Sequence, residues 1–168
     1  IREAPQPVIA SINGVAAGGG ANLALGCDLR IAADTAKIGQ VFAKLGLHPD
    51  WGGSFFLPRL VGASKALELF LSAELVDAPR ALALNLVNRV VPADELGPAA
   101  TAWAKAIAAG PPKAVRLAKQ AVYRSERASL EEMLDWELEA QMACFASGDF
   151  QEGLTAFLEK RDPNFTGR

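Results

Sequence analysis

Three consecutive glycines, Gly18, Gly19 and Gly20, follow the β-branched run Val8-Ile9-Ala10-Ser11-Ile12 and an Asn13-Gly14 turn. The pattern predicts a buried strand, a turn, and a helix that opens on the triplet and runs to about Leu25. The backbone N–H groups in the first turn of such a helix have no intrahelical acceptor, and glycine places no side chain in front of them. At the positive end of the helix dipole they would stabilise negative charge developing on an oxygen, such as a carbonyl becoming an enolate. The same glycines would equally serve tight packing of a helix on a strand. The second candidate group is Asp50, a carboxylate in a loop just before Gly52-Gly53. It reads either as an acid/base or as the N-cap of the helix that follows.

Three competing chemistries lose their local support. A dinucleotide fingerprint needs glycine where Leu23 stands, and a phosphate-binding P-loop begun at Gly14 needs lysine where Gly20 stands. A nucleophile elbow at Ser54 needs glycine where Phe56 stands. The single histidine, His48, has no second catalytic or ligand residue spaced with it, and two cysteines, Cys27 and Cys144, complete too small a set of soft ligands for zinc. They make no disulfide framework either, and both are expected to sit reduced in the core of a cytoplasmic protein.

With 51% hydrophobic and 21% charged residues and a net charge of -2, the composition is that of a soluble globular chain. No basic cluster exists to neutralise phosphates, so no nucleic-acid partner is expected. The uncharged stretch from Ala4 to Cys27 carries Pro5, Pro7, Asn13, Asn22 and five glycines, which reads as folded backbone and not as a membrane span. No secretory signal is visible, and a chain that starts at Ile1 is expected to lack an upstream part.

The elements that must position the glycines and Asp50 fall into two regions, residues 1–92 and residues 93–168. The first alternates short β-branched runs with turns and short helices, an α/β pattern. Strands are expected at Asp28 to Ala33 and at Leu86 to Val91. A short helix after Gly53 is expected to be interrupted by Pro58, Ser64 to cap a further one reaching Leu71, and Asp77 with Pro79 to start the next. Beyond Pro92 the pattern is helical. Ser129 with Glu132, and Asp149 with Glu152, fit reciprocal capping boxes, and Gly148 would end the helix begun at Ser129. Along that helix Leu130, Met133, Leu134, Leu138, Met142 and Phe145 form an apolar stripe that packs either on a partner subunit or on its own domain.

Taken together, these motifs resemble the crotonase superfamily, the enoyl-CoA hydratase and isomerase family. Pro7 to Asp28 resembles the family's oxyanion segment, Leu45 to Gly53 its second active-site loop, and Ala156 to Arg161 its C-terminal signature. The resemblance spans essentially the whole chain. It implies a spiral of ββα turns followed by a helical trimerisation region, acyl-CoA thioesters as substrates, no metal, and no cofactor beyond the CoA of the substrate. The assembly implied is a homotrimer or a dimer of trimers. Gly19 would donate one N–H to the thioester oxygen, while the family's other oxyanion donor belongs to an upstream segment that this chain does not contain. Phe157 and Lys160 match positions that approach the CoA adenine and phosphates of a neighbouring subunit, although an ordinary amphipathic helix face would present them equally well.

The sequence departs from the family's hydratases at both water-activating glutamates, where Asn22 and Phe42 stand. Asn22 cannot take a proton at neutral pH and Phe42 has no lone pair, so both are expected to line the substrate pocket, and simple hydration is disfavoured. The remaining carboxylate, Asp50, lies in a loop most similar to that of the phenylacetate-degradation isomerases, which act on ring-epoxide and 3-enoyl CoA thioesters. One carboxylate suffices there, by removing a proton beside the developing dienolate and returning it to another carbon. Trp51, Phe42, Phe55 and Phe56 are expected to make the pocket apolar and, by desolvation, to turn Asp50 into a more useful base, with Trp51 touching substrate. The alternatives are a fatty-acid β-oxidation hydratase, an Asp50 that attacks covalently as in the family's dehalogenases, and a non-catalytic assembly subunit with a vestigial pocket.

Overall fold

The computed structural model describes residues Ile1 to Arg168. The chain forms two units, Ile1–Ala4 with Val8–Ala102, and Pro5–Pro7 with Trp103–Arg168. The first unit runs β1 (Ile9–Ile12), β2 (Val15–Ala17), α1 (Gly19–Leu25), β3 (Leu29–Ala33) and β4 (Lys37–Gly39). It continues through α2 (Gly53–Val61), α3 (Ala63–Ser72), β5 (Leu75–Asp77), α4 (Ala78–Ala83) and β6 (Arg89–Val91). One sheet has the order β1-β3-β6 and is parallel throughout, with Ile9 opposite Leu29 and Ile31 opposite Arg89. The other has the order β2-β4-β5, with β2 parallel and β5 antiparallel to β4. The first four strands thus alternate between the sheets, β5 pairs directly with β4, and α1 lies in the crossover that parallel pairing of β1 with β3 requires. The apolar faces meet in a core that includes Ile31, Ile38, Leu57 and Val76, all buried.

The expected strand from Leu86 shortens to Arg89–Val91, because the preceding backbone is engaged elsewhere. Leu86 O accepts from Arg30 Nε at 2.8 Å, while the N–H groups of Leu86 and Val87 both donate to Ala81 O. Arg30 is itself buried, and its Nη1 donates to Cys27 O at 2.8 Å. Pro58 does not interrupt α2; it lies inside the helix. The bond it forfeits frees the carbonyl of Ser54, an exposed residue that water can satisfy. Ser64 does not cap α3, whose N-cap is Gly62. Asp77 caps α4 as expected, accepting from Arg80 N at 3.0 Å, with proline in the first turn.

After α5 (Leu96–Ala108), the second unit holds α6 (Pro112–Ser125), α7 (Leu130–Phe145) and α8 (Gly148–Glu159). The box at the start of α7 forms: Glu132 N donates to Ser129 Oγ at 3.2 Å and Ser129 N to Glu132 Oε2 at 2.7 Å. The expected Asp149 box does not. Ser147 caps α8, and the buried Asp149 carboxylate instead accepts the N–H groups of Thr166 and Gly167 from the C-terminal tail. Gly148 correspondingly opens α8, whereas α7 ends at Phe145. Of the apolar stripe on α7 only Met133 is buried, and Leu130, Leu134, Leu138 and Met142 are exposed. No helix is long and apolar enough to cross a membrane.

Candidate active site

The oxyanion candidate takes shape at the start of α1. Gly18 has φ 55, a left-handed conformation that favours glycine, and its N–H donates to Gly39 O at 2.9 Å. The buried ring of Phe42 lies 3.4 Å from where a Cβ on Gly18 would stand. The first amide of the helix to find a carbonyl behind it is that of Asn22, bonded to Gly18 O at 3.0 Å. Gly19, Gly20 and Ala21 precede it, and their amides lack intrahelical acceptors.

The second element is the loop that returns to this point. A 3-10 turn over Val41–Leu45 ends at Gly46 with φ 68, and the chain then reaches a tight turn in which Gly53 N donates to Asp50 O at 2.8 Å. Trp51 at φ 45 and Gly52 at φ 81 are both left-handed. For tryptophan that conformation costs about 1–2 kcal/mol. The turn brings Asp50 and Trp51 onto α1: measured from the Cβ position of Gly19, Asp50 Oδ1 is at 3.9 Å and the Trp51 indole at 3.8 Å. The expected apolar enclosure of Asp50 does not form within the chain. Asp50 is exposed, Trp51 is 66% exposed, and Phe55 and Phe56 pack edge-on against each other at 5.4 Å. Phe56 lies against Gly52 and Gly26.

Asn22, expected to line the substrate pocket, is fully buried between the two elements. Its Nδ2 donates to Asp50 O at 2.9 Å and its Oδ1 accepts from Gln40 Nε2 at 2.7 Å. Gln40 and Gly53 are site residues that sequence reasoning passed over. Gly53 leaves room for Asn22, since a Cβ there would collide with the Asn22 amide. The repeated glycine at 52–53 was the available signal, but it reads first as a helix start. Phe157 is 79% exposed on α8, and Lys160 is its left-handed C-cap at φ 56. No group of three His, Cys, Asp or Glu side chains is placed to hold a metal ion.

The family model described as Enoyl-CoA hydratase/isomerase matches residues 1–168. The chain belongs to the enoyl-CoA hydratase/isomerase family. Among members of that family, it is 48% identical over 162 residues to the Mycobacterium bovis protein named "Probable enoyl-CoA hydratase echA8", covering 96% of this chain and 63% of that protein. It is 43% identical over 164 residues to the 1,2-epoxyphenylacetyl-CoA isomerase of Escherichia coli, covering 98% of this chain and 63% of that one. The crystal structure of enoyl-CoA hydratase from Bacillus anthracis superposes with a TM-score of 0.96 at 42% identity, covering 100% of this chain and 65% of that chain. The expected α/β crotonase-like architecture is therefore the fold of this enoyl-CoA hydratase/isomerase family member. The chain spans about 63% of the length of these curated relatives. Both hydratase and isomerase names occur among them, so membership of the family leaves the reaction to be argued from the site.

Proposed function

We propose that the full-length protein is an acyl-CoA isomerase that shifts a double bond from the 3- to the 2-position, or rearranges a ring epoxide, with Asp50 as its single acid/base. The observation that carries this reading is the stance of the Asp50 carboxylate beside Gly19, 3.9 Å from its Cβ position. A thioester oxygen against the Gly19 N–H has its carbonyl and α-carbon next to that carboxylate. Asp50 takes the proton from C2 of a 3-enoyl thioester, and the electron pair spreads over the dienolate onto the oxygen, where the amide stabilises the charge. The protonated Asp50 then returns the proton to C4, leaving the 2-enoyl product and a regenerated carboxylate.

The two positions that would activate water in a hydratase support this choice. Phe42 is packed against Gly18, and Asn22 is buried with both ends of its amide engaged. In the same reading Phe157 and Lys160 approach the CoA moiety, the exposed stripe on α7 is covered in a homotrimer or dimer of trimers, and the enzyme works in the cytoplasm. A hydratase is the second reading, favoured by the name of the 48%-identical relative.

The deciding experiment is Asp50→Asn in the full-length protein, assayed with a 3-enoyl-CoA thioester. Isomerisation is expected to fall by about 10²–10⁴-fold, the usual contribution of a general acid/base. Full activity in the variant refutes the mechanism, and solvent oxygen in the product of the unmodified enzyme selects hydration.

A further inference from the structure

We propose that Asn22 is a positioning residue: its amide, clamped between Gln40 and the Asp50 carbonyl, holds the left-handed turn at Asp50–Gly52 so that the Asp50 carboxylate stands beside the amide end of α1. This rests on the reading of Asp50 as the acid/base. It assigns Asn22 a role through Asp50 and not through contact with substrate, since the side chain is 0% exposed.

The polarity of the clamp is determined by its partners. Asp50 contributes a carbonyl oxygen, which can only accept, so the nitrogen of the Asn22 amide must face it; turning the amide over would set two oxygens against each other. Asn22 Oδ1 must then meet a donor, which fixes Gln40 with its Nε2 inward. That orientation leaves Gln40 Oε1 buried without a partner, a cost that orienting Asn22 explains. Gly53 completes the device, because its missing side chain lets the turn settle directly on the Asn22 amide.

The coupling is rigid for a geometric reason. Asn22 lies one turn from Gly19 on the same helix, and its backbone N–H closes that turn on Gly18 O. The element that presents an amide to the thioester oxygen therefore also holds the strained backbone carrying the acid/base. Trp51 at φ 45 supplies a standing tendency for the turn to relax, which the Asn22 bond opposes. If it relaxed, the carboxylate would leave Gly19.

The test is a double-mutant cycle in the full-length protein, read as kcat and KM for 3- to 2-enoyl-CoA isomerisation, with amide hydrogen exchange at Gly53 alongside. Asn22→Ala is expected to lower kcat about 10–100-fold, as misplacement of a catalytic group by about an ångström does, with little change in KM. In the Asp50→Asn background the same substitution should change the residual rate by less than about twofold, because the group being positioned is already gone. The Gly53 amide, bonded to Asp50 O, should exchange about tenfold faster in Asn22→Ala while the β3 amides keep their protection. Asn22→Asp, of nearly the same size, keeps the acceptor for Gln40 and loses the donor to Asp50 once its carboxyl is ionised; followed upward in pH until kcat and the Gly53 exchange no longer change, it provides the same reading should the alanine variant not fold. Unchanged kcat in a folded variant, an equal loss in both backgrounds, or unchanged exchange at Gly53 overturns the proposal. Failure of the isomerase reading is separately visible, since Asp50→Asn alone would then retain full activity, and the exchange at Gly53 would by itself decide whether Asn22 holds the turn.

Discussion

The ring of Phe42 lies 3.4 Å from the point where a side chain on Gly18 would begin, so an aromatic from the loop after β4 closes the space beneath the first turn of α1. Phe42 is 8% exposed, and truncating it leaves a void at the base of the glycine triplet. Phe42→Ala is expected to cost about 3–5 kcal/mol, measured by urea denaturation of the full-length protein. A cost near zero means that the loop collapses onto Gly18 without the ring.

Gly19→Ala separates stability from activity. A Cβ at Gly19 meets nothing nearer than 3.8 Å, an ordinary contact, and alanine is the better helix former by up to about 1 kcal/mol. The variant should therefore melt no lower than the parent. Its methyl group would nevertheless sit 3.9 Å from Asp50 Oδ1 and 3.8 Å from the Trp51 indole, on the residue whose amide is proposed to hold the thioester oxygen. Isomerase activity should fall by about tenfold or more, consistent with the sensitivity of oriented reactions to small displacements. An active, stable Gly19→Ala enzyme would show that substrate does not approach along this face.

Gly53→Ala attacks the same site from the other side. The added carbon would fall on the Asn22 amide, which is buried and hydrogen-bonded at both ends and so cannot give way freely. Overpacking of this kind costs about 1–3 kcal/mol. Chemical denaturation should record that loss, while Gly20→Ala, whose Cβ meets nothing within 4 Å, should not reproduce it.

The glycine triplet, the strand before it and the crossover helix were legible because each depends on neighbours in sequence. The cap at Asp77 and the box at Ser129 were legible for the same reason. Elsewhere a local signal had two outlets, and the chain used the distant one. Asp149 and Glu152 have capping-box spacing, but Ser147 caps two residues earlier and frees Asp149 to hold Thr166 and Gly167. Leu86 and Val87 read as strand, yet Leu86 O is drawn to a buried arginine 56 residues away in sequence. The site behaved likewise. Glycines and Asp50 were visible as chemistry, whereas the Asn22–Asp50 tie spans 28 residues and exists only once α1 and the loop have packed.

Glu152 gives the C-terminal tail a predictable dependence on pH. Its carboxylate receives both terminal nitrogens of Arg161, at 2.6 and 2.9 Å, and the N–H of Asn164 at 2.7 Å. These bonds, the Arg161 contact foremost, hold its pKa down at about 2 against an ordinary 4.5. A depressed carboxyl contributes stability that is fully present above its ordinary value and is lost as pH falls through the folded value. The tie between Asn164 and α8 should therefore persist at neutral pH, weaken below about 4.5 and be gone beneath about 2. The amide resonance of Asn164, followed by NMR in the full-length protein, should titrate with a midpoint near the lower figure. Glu152→Gln should remove that titration, and high salt should move the midpoint upward by screening an exposed pair. A midpoint at the ordinary carboxyl value would mean that Arg161 does not engage Glu152 in solution.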